Sequence, residues 1–181
     1  NTVLGGRFTL NAEGILLQSS NLNTFLSVNA SANFQRGISL ASSHNNTFSL
    51  LSAKANQYGA HLTFSHNNTI ENSNLSSSIS GGYGGYLFGS NGNAFRFNSL
   101  QANAYGIYLS SSRNSSIQFN NLSFNTNTGV YYSGTSLNPS SANLSFNNLN
   151  NNTLYNLRNE QPVNVTVANN WWGATNASAI S

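Results

Sequence analysis

The chain offers few side chains that could do acid–base or metal chemistry, and their spacing decides what is expected of them. Glu13, Glu71 and Glu160 are the only carboxylates among 181 residues, and Asp and Cys are absent. Glycoside hydrolysis needs two carboxyls within roughly 5–9.5 Å of each other. A Ser-His-Asp triad lacks its acid here, and there is no thiol nucleophile. Glu13 precedes a Gly while Glu71 follows an Asn-x-apolar marker, so the two are not expected to converge, and the expectation is a chain that is not an enzyme and uses no cofactor. His44 and His66 are better matched. They lie in the same context, Ser43-His44-Asn45-Asn46-Thr47 and Ser65-His66-Asn67-Asn68-Thr69, 22 residues apart. Two imidazoles on adjacent repeats can reach one metal ion. The plainer reading is two polar surface residues in a stacked row, and the chain lacks Met and Cys, the soft ligands that suit Cu(I).

That spacing is the period of the whole chain. An Asn-x-apolar marker puts an apolar residue at Val3, Phe25, Phe48, Ile70, Phe95, Ile117, Leu144 and Val165, in steps of 22, 23, 22, 25, 22, 27 and 21 residues. A second marker, Gly-apolar-x-apolar, begins at Gly14, Gly37, Gly59, Gly85, Gly106 and Gly129, with Asn156 in the last place. Apolar and polar residues alternate within each short piece, so the pieces are strands. A unit of this length cannot bury a core alone and must stack on its neighbours. The expected fold is all-β: a right-handed parallel β-helix of seven to eight coils over 1–173, about 22–23 residues per coil, followed by a tail or linker over 174–181. Like residues should form interior columns: Phe95, Ile117 and Leu144; Phe97, Phe119 and Phe146; Leu100, Leu122 and Leu149. Asn98, Asn120 and Asn147 should sit at turns of positive φ and stack as an amide ladder. The longer steps place loops at 76–85 and 133–141, on one face of the rod.

In the Gly-marked strand the residues before the Gly and two after it should face solvent. Leu87, Tyr105, Tyr108, Tyr131 and Tyr155 then form an aromatic stripe suited to a glycan or a protein partner. Asn-x-Ser/Thr sequons stand at Asn29, Asn45, Asn67, Asn74, Asn114, Asn121, Asn143, Asn151, Asn164 and Asn176. With 35 Asn and 42 Ser plus Thr among 181 residues, chance alone gives roughly eight such sequons. They permit N-glycosylation without arguing for it.

Charged residues make up 5% of the chain, and the net charge of +3 is carried by Arg and Lys placed singly. A nucleic-acid partner has no basic run to bind, and no apolar stretch is long enough to span a membrane. A surface of amides and hydroxyls with so few charges suits an extracellular or cell-surface location.

The module Asn-x-x-Ile-x-x-Asn-x-x-x-x-x-x-Gly-Ile-x-Leu resembles the repeat of right-handed parallel β-helix proteins of the pectate-lyase-like superfamily. Asn169-Asn170-Trp171-Trp172-Gly173 is similar to the element that ends such helices. The non-enzymatic branch, which includes copper-binding accessory proteins of nitrous oxide reductase and many surface proteins, matches best. The resemblance implies the fold over nearly the whole chain and leaves three functional expectations. The first is a structural or adhesive solenoid, as a surface-glycoprotein module or filament subunit whose partners are copies of itself or neighbouring surface proteins. The second is a carbohydrate-binding module using the tyrosine face, and the third is a copper-binding accessory protein using His44 and His66.

Overall fold

The computed structural model describes residues 1–79, 81–135 and 137–173. The expected tail at 174–181, with the sequon at Asn176, lies outside the described residues. The alternating pattern produces two parallel sheets that share one core. The first contains β1 (Thr2–Leu4), β3 (Thr24–Leu26), β5 (Thr47–Ser49), β7 (Thr69–Glu71), β9 (Ala94–Arg96), β11 (Ser115–Gln118), β13 (Ala142–Ser145) and β15 (Val167–Ala168), in that order. The second contains β2 (Glu13–Gln18), β4 (Arg36–Ala41), β6 (Tyr58–Thr63), β8 (Tyr83–Phe88), β10 (Tyr105–Ser110), β12 (Thr128–Ser133) and β14 (Tyr155–Asn159), again in order. A third line of single bridges runs through Arg7, Asn29, Ser52, Asn74, Ser99, Asn121, Asn148 and Trp171. The fold is the expected β-solenoid, with the coils about 4.8 Å apart. Phe95, Ile117 and Leu144 stack inside it, as do Leu100, Leu122 and Leu149, all nearly inaccessible to solvent.

The corners depart from expectation in an instructive way. Left-handed backbone falls on Phe97 (φ 56°), Phe119 (57°) and Phe146 (58°), one residue before the asparagines expected to carry it. A residue at such a corner projects outward, so these three phenylalanines are not core: they are 55%, 47% and 49% exposed and stack on each other along the outside. The next residue turns inward and closes the hydrogen bonding that the turn leaves open. The N–H of Asn98 donates to Asn120 Oδ1 (3.0 Å) and that of Asn120 to Asn147 Oδ1 (2.9 Å), while the side-chain amides bond along the same line at 3.1 Å. The amide ladder therefore exists, and it recurs at other corners as Asn23-Asn46-Asn68-Asn93 and, in hydroxyl form, as Ser43-Ser65-Ser90-Ser112. Buried N–H groups must find partners, which accounts for the abundance of Asn and Ser in a chain with little charge.

The repeated Gly has a different cause. A Cβ on Gly84 would lie 2.7 Å from the Gly106 carbonyl oxygen, and one on Gly106 2.5 Å from that of Gly129. The backbones approach too closely there for any side chain. Gly84, not Gly85, occupies this column, and Gly85 takes the inward place of Ile107 in the next coil. At the far end Leu144 pairs with Val167 rather than Val165. The two insertions leave the rod at different corners rather than on one face: one precedes β8, the other joins β12 to β13. Arg113 holds the second by donating to the carbonyls of Leu137 (2.5 Å) and Pro139 (3.3 Å).

Candidate functional site

Strand pairing in the second sheet sets two outward columns side by side. One reads Glu13, Arg36, Tyr58, Tyr83, Tyr105, Thr128 and Tyr155; the other Leu16, Ser39, His61, Tyr86, Tyr108, Tyr131 and Arg158. Leu87 does not belong to this face. It is fully buried, because the Gly84-Gly85 pair shifts the phase by one residue and brings Tyr83 and Tyr86 outward instead. Sequence reasoning misses those two tyrosines for the same reason, and the backbone contact of the Gly column is the signal that could find them.

The rings form a herringbone. Along the columns they lie nearly parallel: Tyr58–Tyr83 at 5.1 Å, Tyr83–Tyr105 at 5.0 Å, His61–Tyr86 at 5.3 Å and Tyr86–Tyr108 at 5.2 Å between centroids. Between columns they meet edge to face, as Tyr83–Tyr108 does at 5.7 Å and 88°. Arg36 caps one end over Tyr58 at 6.0 Å, and Arg158 the other over Tyr131 at 5.0 Å and Tyr155 at 5.2 Å. Because the faces cover one another, the array presents ring edges and phenol hydroxyls rather than open ring faces. Tyr155 is 48% exposed and Tyr131 only 8%, its hydroxyl donating to the Glu160 carboxylate. Burial, then the neighbouring tyrosines, push the Tyr83 phenol up to about 12, and burial with Tyr108 and Tyr58 raises Tyr86. These groups stay protonated hydrogen-bond donors.

Beside the array lies a cleft of about 370 Å³ lined by Glu13, Leu16, Arg36, Ser39, His61 and Thr63, among others. It exists because Ser39 is the small residue between Leu16 and His61 in its column. Glu13 and Arg36 form an ion pair across its edge. His61 is held down to about 4, first by burial and then by Arg36, with Glu13 opposing. It is a neutral imidazole at ordinary pH.

His44 and His66 lie on adjacent coils with rings stacked at 4.9 Å and 6°. The N–H of His66 donates to His44 Nδ1 (3.0 Å) and that of Asn91 to His66 Nδ1 (2.9 Å). Asn21 Oδ1 accepts from His44 N, and Asn91 Oδ1 from Arg113 N, in the same manner. The imidazoles thus stand in for asparagine in another ladder. Burial first, then His44, lowers the pKa of His66. Among the sequons, Asn45, Asn67 and Asn114 are exposed at one left-handed corner, and Asn143, Asn151 and Asn164 are also exposed. Asn29, Asn74 and Asn121 are half-buried, each accepting from the N–H two residues ahead.

No curated protein matches the sequence. Among solved structures, the A-module of mannuronan C-5 epimerase AlgE6 from Azotobacter vinelandii superposes with a TM-score of 0.73 at 13% identity, covering 97% of this chain and 58% of that one. The periplasmic alginate epimerase AlgG, solved as a double mutant, gives 0.72 at 18% identity, covering 94% and 51%. The chain thus spans little more than half the length of these structures, and at such identity the likeness shows the fold alone. It nevertheless corrects the expectation that the chain is not an enzyme. Neighbours sharing its fold are named as epimerases, so a scarcity of carboxylates read from sequence does not remove this solenoid from the company of enzymes. The structural, adhesive or filament role draws no support from these findings.

A family profile described as "Periplasmic copper-binding protein (NosD)" matches residues 1–181. That description agrees with a location outside the cytoplasm, and no described helix is long and apolar enough to cross a membrane. The copper it implies finds no matching donor set here. No three His, Cys, Asp or Glu side chains gather among the described residues. At His44 and His66, a metal on Nε2 would place the ring proton on Nδ1, opposed to the backbone N–H already donating there. Membership therefore rests on the coil pattern matched from first residue to last, not on a metal centre: the chain belongs to the NosD family of periplasmic copper-binding proteins.

Proposed function

We propose that the chain binds an extended polysaccharide outside the cytoplasm, laid along the tyrosine columns of the second sheet. The observation that carries this reading is the herringbone of Tyr58, Tyr83, Tyr86, Tyr105 and Tyr108, which repeats phenol rings at 5.0–5.2 Å along the columns, about one coil spacing. That interval is close to one pyranose unit of an extended 1,4-linked chain, so successive sugars meet equivalent hydroxyls. The solved structures of like fold are named for mannuronan and alginate, both polysaccharides, which supports the reading by analogy of scaffold.

The test is affinity electrophoresis or calorimetry against a panel of soluble polysaccharides, using wild type and a Tyr83→Phe, Tyr86→Phe, Tyr108→Phe triple variant. Phenylalanine keeps the ring packing and removes only the hydroxyls. Each lost hydrogen bond costs about 0.5–1.5 kcal/mol, so affinity should fall about tenfold or more. Unchanged affinity in the triple variant, or no polymer bound by wild type, overturns the proposal. Protein partners, including further copies of the chain, are the alternative occupants of this face.

Copper binding is the second reading, favoured by the family's description. In this chain it would use His44 and His66 and would cost the ladder two acceptors. Copper titration of wild type against His44→Ala and His66→Ala decides it: stoichiometric binding lost in both variants supports it, and equal binding in all three refutes it.

A further inference from the structure

The cleft around Ser39 opens at the end of the tyrosine columns, where Arg36 covers Tyr58 at 6.0 Å and His61 meets the same ring edge-on at 5.1 Å. Its polar lining is unusual in this chain, since it gathers one of the three carboxylates, one of the few cations and a histidine in one place. The charges cancel. Glu13 and Arg36 are already paired, through Oε1 and Nη1, and His61 is uncharged, so the cleft holds no free cation to attract an anionic ligand. Yet the pair is under-bonded: Glu13 Oε2 and Arg36 Nε are both shut off from solvent and find no hydrogen-bond partner among the described residues. One is an acceptor and the other a donor. The last torsion of a glutamate is soft, and a ligand in the cleft would engage the pair through a small turn of the carboxyl and a matching shift of the guanidinium that opens Oε2 and Nε to it. The group that serves an orphan acceptor and an orphan donor together is a hydroxyl, and two neighbouring hydroxyls on a ring serve them best. Ser39, Thr63 and Gln18, with the neutral His61, line the remaining wall with groups of the same kind.

We propose that this cleft is a subsite for a neutral sugar unit, in which Glu13, Arg36 and His61 hold a pair of adjacent hydroxyls and so select neutral over uronic-acid polymers. The assignment rests on the polysaccharide reading above and adds the class of sugar. A carboxylate in the cleft would face Glu13 and would have to break the ion pair to reach Arg36.

The test compares a neutral 1,4-linked glucan or mannan with a polyuronate of similar length, by affinity electrophoresis and calorimetry, on wild type, Ser39→Leu and Glu13→Gln. Leucine at position 39 projects outward and fills the cleft as Leu16 fills the preceding place in its column. Wild type should prefer the neutral polymer at least tenfold. Ser39→Leu should lose about tenfold in that affinity with an unchanged thermal midpoint. Glu13→Gln, which leaves Arg36 unneutralised, should narrow or reverse the preference, and it decides the same point if Ser39→Leu does not fold. A wild type that prefers polyuronate overturns the sugar class. Neutral-polymer binding that is unmoved by both variants, but lost in the tyrosine triple variant, overturns the cleft while leaving the tyrosine track standing. Binding of no polymer overturns both.

Discussion

Replacing Asn120 by alanine tests whether the corner ladders hold the coils together. Asn120 is 2% exposed, and its side chain is bonded on both sides. Oδ1 accepts from Asn98 N at 3.0 Å and Asn98 Nδ2 at 3.1 Å, and Nδ2 donates to the Phe95 carbonyl at 2.8 Å and to Asn147 Oδ1 at 3.1 Å. Alanine leaves the buried N–H of Asn98 without an acceptor, at about 1–3 kcal/mol. The space vacated by the amide adds about 1 kcal/mol. The sum is about 2–4 kcal/mol, which for a chain of this size lowers the thermal midpoint by about 10 °C. Urea titration should show the midpoint falling with an unchanged slope. Two companions sharpen the result. Asn120→Ser should recover part of the loss, because Ser73, in the same column, accepts the N–H of Leu51 through its hydroxyl at 3.0 Å. Asn143→Ala, at an exposed site, should stay within about 0.5 kcal/mol of wild type. If Asn120→Ala also stays within that margin, the ladders are ornament and the account of the asparagines fails.

Gly106→Ala should destabilise by more than an ordinary surface change, seen as a lower urea midpoint, because its Cβ would sit 2.5 Å from the Gly129 carbonyl oxygen. Tyr132→Phe should stabilise by about 1 kcal/mol, read from the same titration, since the buried Tyr132 hydroxyl has no partner among the described residues. His61, held down to about 4, takes up its proton near 6.5 in the unfolded chain. Stability should therefore be full above pH 6.5, decline as pH falls toward about 4 and level off below it, and thermal midpoints of His61→Gln should lack that part of the slope.

The period is legible in the sequence because each marker answers a demand that recurs in every coil. Gly returns wherever two backbones touch, and Asn where a turn leaves an N–H open. The phase within a coil is not legible. Gly84 and Gly85 are equivalent on paper, and only the carbonyl of Gly106 distinguishes them, so spacing alone turns Leu87 outward and passes over Tyr83 and Tyr86. Phe97, Phe119 and Phe146 repeat as faithfully as any core column, yet repetition reveals stacking and not which side of the wall the stack occupies. Val165 and Val167 share the same parity, which leaves strand pairing to choose between them. The paired histidines are visible as neighbours, but their use as hydrogen-bond acceptors depends on ring orientation, which spacing does not carry.

The buried Asn and Ser ladders run in one direction, each corner N–H being received by the coil that follows it in the chain, whereas the ladder through Asn21, His44, His66 and Asn91 runs the other way, each N–H donating to the coil before it. Within each of these columns, successive coils meet through the same arrangement of donor and acceptor. Excising one full period, from one corner asparagine to its counterpart, would rejoin equivalent ladder groups, whereas removing half a period would set donors against unlike groups. Length in such a protein can change by whole storeys at little cost, so the columns of tyrosines can be extended or shortened without redesigning the wall that carries them.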